Sequence, residues 1–327
     1  FQVSHRHSFS STWHLMSKKR RPLSKTRHFL ECAALRALIF FLRPLSAKTV
    51  FRLGQALGAL SYSWAKKRKQ TARINLNIAF GDEKSDAEKN QIIKSSFAQL
   101  AVSALQCLWV WTDPQRVHQL IEGEPAGLDQ LKACKERGKG VFFLTAHYGN
   151  WEVMGIDHGY RGVCNLNSII RRLDNPYLDE MVMEFRTVSG NGIFYRDESP
   201  LLIARALKNN EAVAVMMDQN TAKGGIFVDF FGEKAATARS IALLSHRTSA
   251  AILPLFSYPT GKGTYRIKYG PELKLEKSGD KKRDVLRWTQ ECEQFIEKVI
   301  RGYPDPWMWS HRRWKTRPLE EQGRKIY

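Results

Sequence analysis

Cysteine is scarce in this sequence, and its spacing excludes several kinds of site. The 327 residues include five cysteines, an odd number spread widely along the chain. They are Cys32, Cys107, Cys134, Cys164 and Cys292. No two of them have the short spacing that binds a metal ion or forms a redox pair. The sequence therefore predicts reduced thiols in a reducing compartment, and no metal site.

Acidic residues are few relative to basic ones. Asp and Glu number 32 against 52 Lys and Arg, which gives a formal net charge of +20. This surplus favours a polyanionic partner, whether nucleic acid, anionic lipid head groups or an acidic protein. Because the sequence contains no motif that reads nucleic acid, we expect no nucleic acid partner.

The sequence also lacks a convincing transmembrane run. The stretch between Lys94 and Asp113 is uncharged and long enough to be considered. Four polar residues recur in it at helical spacing, opposite the apolar ones: Ser96, Gln99, Ser103 and Gln106. This pattern predicts an amphipathic helix, which begins at a capping box formed by Ser85 and Glu88.

A basic segment precedes a short apolar one near the N-terminus. Six Lys and Arg residues between positions 18 and 27 come before Phe29–Leu42, which itself contains Glu31 and Arg36. The apolar segment is too short and too charged to predict a span. It fits a helix lying at a membrane interface, with the basic residues on anionic head groups, and equally an ordinary packed helix behind a solvated tail.

Three regions follow from these patterns. We predict a disordered basic tail over residues 1–28, in which residues 1–15 lie upstream of a natural start at Met16. Residues 29–65 are predicted as membrane-interface helices. Residues 66–327 are predicted as one domain, because short apolar strands alternate with helices from about residue 120 onward. That alternation predicts an α/β fold with a mixed sheet flanked by helices.

The predicted strands are Val141–Thr145, 212–217, 226–231, 251–256 and the alternating "TYRIKYG". The predicted helices in this region are Leu128–Arg137, one beginning near Trp151, Pro200–Asn209, Ser240–Thr248 and Arg283–Arg301. In such folds ligands bind at the carboxyl edge of the sheet.

A histidine and an acid follow the most apolar strand, in "VFFLTAHYGNWE". Gly149 permits a tight turn, and Asn150 is a good cap for the next helix. His147 and Glu152, which are too far apart to meet within one helix, can meet across this turn. Glu152 would then fix the imidazole tautomer and leave the other ring nitrogen as a base. The alternative is a strand-end histidine with satisfied hydrogen bonds. No serine or cysteine occupies the turn, so a covalent nucleophile is not indicated.

Further polar residues follow in order, and each alone is a weak signal. Candidates for binding an acyl donor or an acceptor phosphate are Arg171, Arg172, Asn175, Arg196, Asp218 and Gln219. Asp218 and Gln219 end a second buried strand. The segment "PWMWSHRRWK" mixes Trp with Arg and is a second candidate for contact with lipid head groups.

In this order the segments "AHYGNWE", "DQN", "VDFFGEKAAT", "AILPLFS" and "WMWSHRRWK" resemble the lipid A biosynthesis (late) acyltransferases, a family of the lysophospholipid acyltransferase superfamily. The resemblance covers roughly residues 30–316, and "HYGNWE" matches the family's H-x4-D/E motif. One departure is "ATARS", which stands where a proline- and glycine-containing turn is more usual.

The resemblance implies a glycerolipid acyltransferase-like fold. It also implies an enzyme of the cytoplasmic side of the bacterial inner membrane, which moves a fatty acyl chain from an acyl carrier protein thioester to a hydroxyl of a lipid A precursor. By the motif, His147 is the general base and Glu152 its orienting partner, in a direct transfer without acyl-enzyme. No cofactor is implied beyond the carrier's phosphopantetheine. The positive charge would dock the acidic carrier protein and an anionic lipid.

Two points stay open from the sequence. The donors to the oxyanion are either the helix N-terminus after the turn, or Arg171 and Arg196. The rival functions are a related acyltransferase acting on a glycolipid, ornithine lipid or polyene lipid, and a non-catalytic basic protein that binds membrane.

Overall fold

A six-stranded mixed sheet lies at the centre of the fold. The computed structural model describes residues 25–196, 199–321 and 323–327. The strands of this part are β1 (Val141–Thr145), β2 (Leu166–Ile170), β3 (Gly192–Tyr195), β4 (Ala212–Met216), β5 (Ile226–Phe230), β6 (Glu233–Thr237), β7 (Ala251–Pro259) and β8 (Tyr265–Tyr269). The central sheet has the order β3-β2-β4-β1-β7-β8 and is parallel except for β8, while β5 and β6 form a separate antiparallel hairpin. The predicted mixed α/β sheet is confirmed.

The α-helices of the described ranges are α1 (Lys25–Leu42), α2 (Ala47–Trp64), α3 (Lys66–Phe80), α4 (Asp86–Trp111), α5 (Leu128–Glu136), α6 (Trp151–Arg161), α7 (Pro176–Thr187), α8 (Ser199–Lys208), α9 (Ser240–Thr248) and α10 (Lys281–Gly302). The predicted helix Ser240–Thr248 is confirmed at both ends, and the other predicted helices of the sheet region differ by one or two residues. Strands β2, β3 and β6 were not predicted, because they are short and contain Asn, Ser, Gly or Ala in place of a β-branched run.

Strand β1 is fully buried because helices cover both faces of the sheet. Its residues alternate between two core clusters, as the period of a strand requires. Phe142 and Leu144 pack in a cluster with residues of α3, α4, α8, α9 and α10. Val141 and Phe143 pack in the other cluster, with Leu131 of α5 and Met154 of α6. The central strands therefore deliver their carboxyl ends to a rigid edge between two helical layers.

The polar stripe of α4 points into the protein. The predicted helix and its capping box are confirmed, with the Ser85 and Glu88 side chains each accepting from the other residue's backbone N–H. Ser96 Oγ donates to the carbonyl of Trp307 at 2.6 Å, and Ser103 Oγ donates to the carbonyl of Gly149 at 3.0 Å. Ser103 thereby holds the loop that follows β1, and Ser96 holds the Trp-rich segment near the C-terminus.

Gly149 is required in that loop. Its φ is +61°, and a Cβ there would lie 1.9 Å from the carbonyl oxygen of Ser257 on β7. Any other residue would push the loop away from the sheet edge. The predicted cap is also confirmed, since Asn150 Oδ1 accepts from the N–H of Val153 in the first turn of α6.

The N-terminal helices pack on α4 and leave apolar side chains exposed. Helix α2 lies close to α4 at Gly54 and Gly58, where added Cβ atoms would come within 2.6 Å and 2.4 Å of α4 backbone atoms. Helix α1 begins at Lys25, so the predicted tail to residue 28 is wrong for its last four residues, which are helical. The rest of that tail lies outside the described residues. No helix within the described ranges has both the length and the apolar character to cross a bilayer.

Candidate active site

His147 lies at the carboxyl edge of the sheet, two residues beyond β1, with a partner on each ring nitrogen. Its Nδ1 is 2.9 Å from Oδ1 of Asp218, which follows β4. Its Nε2 is 3.1 Å from Nε2 of Gln219. The parallel pairing of β1 with β4 ends at Thr145 and Met216, so the residues after the two strands meet in space. The structure thus brings three predicted site residues together.

These contacts define the neutral tautomer of His147. The Asp218 carboxylate only accepts hydrogen bonds, so Nδ1 carries the hydrogen and Nε2 accepts from the Gln219 amide. Burial opposes protonation of the ring, but the charge and hydrogen bond of Asp218, and then the charge of Glu152, raise the pKa of His147 above its usual value. A basic nitrogen therefore faces the side of the ring away from Asp218.

Asp218 is fixed by a network of donors. It is 2% exposed, and its Oδ2 accepts from the backbone N–H of His147 and from Nε1 of Trp307, both at 2.9 Å. Burial alone would raise the pKa of this carboxyl, but the His147 ring and the hydrogen bonds outweigh it and lower the pKa to about 2. The carboxylate stays charged and holds the imidazole in one orientation.

The structure corrects the expected partner of His147. Glu152 does not bond the ring; instead its two oxygens accept from Nε and Nη2 of Arg186 on α7, the former at 2.9 Å. The reason is that Glu152 lies in the first turn of α6, whose course is set by the Asn150 cap, and from there its side chain meets α7. The carboxylate that contacts the ring belongs to Asp218, which follows β4 and is 71 residues away in the sequence.

A cavity of about 710 Å³ opens beside His147. It extends over both faces of β4: Ala214 belongs to the side covered by α6, and Val215 to the side covered by α8 and α9. Its lining includes five cationic side chains, Arg171, Arg186, Arg196, Lys223 and Arg239, and one carboxylate, Glu152. Since Glu152 is paired with Arg186, the mouth of the cavity carries a positive potential.

The other predicted binding residues divide into two groups. Arg171 and Arg196 line the cavity, and Arg171 also pairs with Asp174 at 3.2 Å. The prediction for Asn175 is wrong: it is buried, caps α7 and donates to the carbonyl of His28 and to Glu31 on α1. Arg172 is not among the cavity-lining residues, and its guanidinium lies 3.5 Å from the ring centroid of Tyr195.

The Trp-rich segment supports the site from within the core. Trp307, Trp309 and Trp314 are at most 1% exposed, so the interpretation as a head-group contact is wrong. Arg313 is also fully buried; it pairs with Glu293 at 3.2 Å and donates to the carbonyl of Ala236 at 2.9 Å. The sequence offered no signal for these roles beyond the density of aromatic and basic residues in one short segment.

Backbone N–H groups of the turn after β1 already have partners. The N–H of His147 donates to Asp218, that of Tyr148 to Ala146, that of Gly149 to Pro306 and that of Asn150 to Ser257. These four amides are therefore engaged inside the protein. Among the side chains that line the cavity, the five cationic groups and the Gln219 amide offer further hydrogen-bond donors.

Fold and site define an α/β protein with a histidine–carboxylate pair beside a basic cavity at the carboxyl edge of its sheet. The family model of bacterial lipid A biosynthesis acyltransferases matches residues 16–316. The chain belongs to this family, and it is an O-acyltransferase. The non-catalytic rival is thereby set aside.

Known relatives agree with this assignment. Over 276 residues the chain is 29% identical to the lipid A biosynthesis palmitoleoyltransferase of Escherichia coli, covering 83% of this chain and 86% of that protein. It is 26% identical over 289 residues to the lauroyltransferase of the same organism, covering 86% and 90%. A phosphatidylinositol mannoside acyltransferase of Mycobacterium tuberculosis is 27% identical over 196 residues, 58% of each chain.

Proposed function

We propose that the protein transfers a fatty acyl chain from an acyl carrier protein thioester to a hydroxyl of a lipid A precursor, with His147 as general base. The observation that carries this proposal is the pairing of His147 with the buried carboxylate of Asp218, which leaves Nε2 directed at the cavity. An alcohol needs this help, because it is a poor nucleophile at neutral pH, and a positioned base contributes about 10²- to 10⁴-fold.

The transfer proceeds in one direct displacement. The acceptor hydroxyl takes the place of the Gln219 amide at Nε2, gives its proton to His147 and attacks the thioester carbon. As the C–O bond forms, the carbonyl oxygen takes the negative charge. This oxyanion then collapses and breaks the C–S bond, and the carrier thiolate takes the proton from the imidazolium. Asp218 stabilises that imidazolium. Cavity arginines, Arg196 among them, supply positive charge for the oxyanion.

The charge of the cavity suits both substrates. The donor prosthetic group and the proposed acceptor carry phosphates, and Arg or Lys side chains at a cavity mouth bind phosphate strongly. The overall charge of +20 also favours encounter with an acidic carrier protein.

We place the protein on the cytoplasmic face of the inner membrane, and exposed apolar side chains on α2 support its contact with a bilayer. Leu53, Leu57, Leu60 and Trp64 recur at helical spacing and are between 42% and 80% exposed. Single exposed apolar residues are common on protein surfaces, but four that form a stripe on one outer helix are not. Such a stripe fits the head-group layer of a bilayer. Basic residues flank it at Arg52 and Lys66.

A second candidate acceptor is a phosphorylated glycolipid. The similarity of this chain to phosphatidylinositol mannoside acyltransferases favours this acceptor. The lipid A precursor remains our proposal, because the matching family model is that of the lipid A biosynthesis acyltransferases. At similar coverage of the chain, a relative named for lipid A is also 29% identical, against 23% for a mannoside acyltransferase.

The test is a transfer assay with purified protein, acyl carrier thioester and either acceptor, read as free carrier thiol and as the mass of the lipid product. His147→Ala should lower turnover by at least about 100-fold, whereas the exposed His118→Ala should leave it unchanged. Intact mass after mixing with donor alone should show unmodified protein. Near-normal transfer by His147→Ala, or a stable acyl adduct, would contradict the proposed mechanism.

A further inference from the structure

Gly155 occupies an unfavourable place for a glycine. It lies in the middle of α6, and apart from proline no residue disfavours a helix interior more than glycine. A glycine in such a position calls for a packing reason or a functional one.

The neighbouring helical glycine has a packing reason. Gly159, one turn further along α6, faces the segment that leads into β3. A Cβ at Gly159 would lie 2.4 Å from Oγ and 2.6 Å from the carbonyl oxygen of Ser189. No other residue fits there without moving that segment.

Gly155 has no such reason. A Cβ at this position would meet no atom within 4 Å, although the residue lines the cavity. The absent side chain leaves cavity space rather than a close backbone contact. The cost in helix stability is therefore matched by a gain in room inside the site.

The open space at Gly155 is farther from the carboxyl edge of the sheet than His147 is. The Trp151 ring lies 5.0 Å from the His147 ring between centroids. Gly155 is four residues further, which is about 6 Å along the helix axis. Helix α6 starts at the carboxyl edge and leads back to β2, so this direction runs away from the edge, along the face of the sheet.

We call the part of the cavity next to Gly155, between α6 and the sheet, the lobe. Its opposite wall is also built from small residues. Ser168 of β2 and Ala214 of β4 are register partners and share the face covered by α6. Both line the cavity, with Ile156 and Ile170 beside them. A helix packed on a sheet normally fills such space with large side chains. Here the space continues the cavity that begins at His147.

We propose that Gly155 sets the depth of the pocket for the transferred acyl chain and thereby selects its length. The inference rests on the proposed acyl transfer. The chain enters from the thioester held at His147 and runs between α6 and the sheet, toward Ser168 and Ala214. A side chain at position 155 would project into this lobe and displace the far part of the chain.

The experiment measures kcat/KM for a series of saturated acyl carrier thioesters of increasing length. Gly155→Leu should shift the preference to a shorter chain. The ratio of kcat/KM for the longest accepted chain to kcat/KM for the shortest should fall by at least about 10-fold. Gly155→Ala should shift it in the same direction by less. Ser168→Leu fills the lobe from the strand side and should reproduce the shift. Thermal melting of Gly155→Ala should match or exceed that of the unmodified protein.

The matched control fills the cavity on the other side of β4. Leu243→Phe on α9 should retain the original length preference. An unchanged preference in Gly155→Leu and Ser168→Leu, an equal loss for all lengths, or a shift seen only in Leu243→Phe would overturn the proposal.

Binding of free fatty acids of the same lengths separates this inference from the proposed function. If the unmodified protein transfers no acyl chain but binds fatty acids with a length preference that Gly155→Leu shortens, the proposed donor or mechanism fails and the pocket assignment stands. If transfer proceeds and Gly155→Leu changes neither readout, only the pocket assignment fails.

Discussion

Replacing Asp218 with Asn removes one charge from the site and almost no volume. In the structure the carboxylate accepts from the His147 ring, the His147 backbone N–H and Nε1 of Trp307. An Asn has one oxygen for these donors and turns an NH₂ group toward the remaining one or two. At least one buried donor then faces another donor.

The magnitude follows from the tautomer. If the NH₂ group faces His147, Nδ1 must give up its hydrogen and Nε2 must carry one, so Nε2 can no longer accept the proton of the acceptor hydroxyl. This error costs about 10⁴-fold in enzymes that depend on a histidine–carboxylate pair. The mispaired donors should also lower the free energy of unfolding by about 1–3 kcal/mol.

The pH dependence of kcat/KM gives a second readout with a definite sign. His147 acts as a base only when neutral, so activity falls as pH drops through its pKa, which Asp218 raises above the usual value. In Asp218→Asn the pKa falls, and the acidic limb moves to lower pH. The deficit relative to the unmodified protein should therefore narrow as pH decreases.

The assay is thiol release from the acyl carrier across pH, with circular dichroism as the check on folding. Glu152→Gln is the contrast, because Glu152 bonds Arg186 and influences the ring only through its charge. It should shift the acidic limb less than Asp218→Asn does. Retention of activity within about 10-fold in Asp218→Asn, or a larger pH shift in Glu152→Gln, would refute the assignment of Asp218 as the partner of the base.

Two further predictions concern the membrane surface and the core. Replacing both Leu57 and Trp64 with Gln should weaken sedimentation with anionic vesicles by at least about 10-fold, because it removes exposed apolar area. Leu319→Gln, at an exposed residue outside the N-terminal helices, should have little effect, and equal losses would argue against the α2 surface. Arg313→Met should lower the free energy of unfolding by about 3 kcal/mol or more, because Glu293, whose pKa burial already raises to about 7, loses its buried partner. A denaturant midpoint close to that of the unmodified protein would contradict this.

Local patterns determined much of the fold. Apolar periodicity located β1, β4, β5, β7 and β8, and capping residues located the starts of α4 and α6, because these signals act over a few neighbouring residues. The short strands β2 and β3 were not predicted, since β2 forms through pairing with β4, and β3 through pairing with β2, rather than through their own composition.

Local sequence patterns predicted only part of the candidate active site. The sequence by itself determined that His147 would stand at the end of a buried strand, before a capped helix, and that the segments in order match one family of acyltransferases. It also marked Asp218 and Gln219 as the end of a second strand.

Only the tertiary structure decided which acid meets the histidine. Glu152 is five residues from His147 along the chain, yet α6 carries it to Arg186, while parallel pairing of β1 with β4 brings Asp218 to the ring from 71 residues away. Tertiary packing likewise decided the burial of the Trp-rich segment and the open space at Gly155. Sequence spacing sets contacts within an element, whereas contacts between elements depend on strand order and packing, which no local pattern encodes.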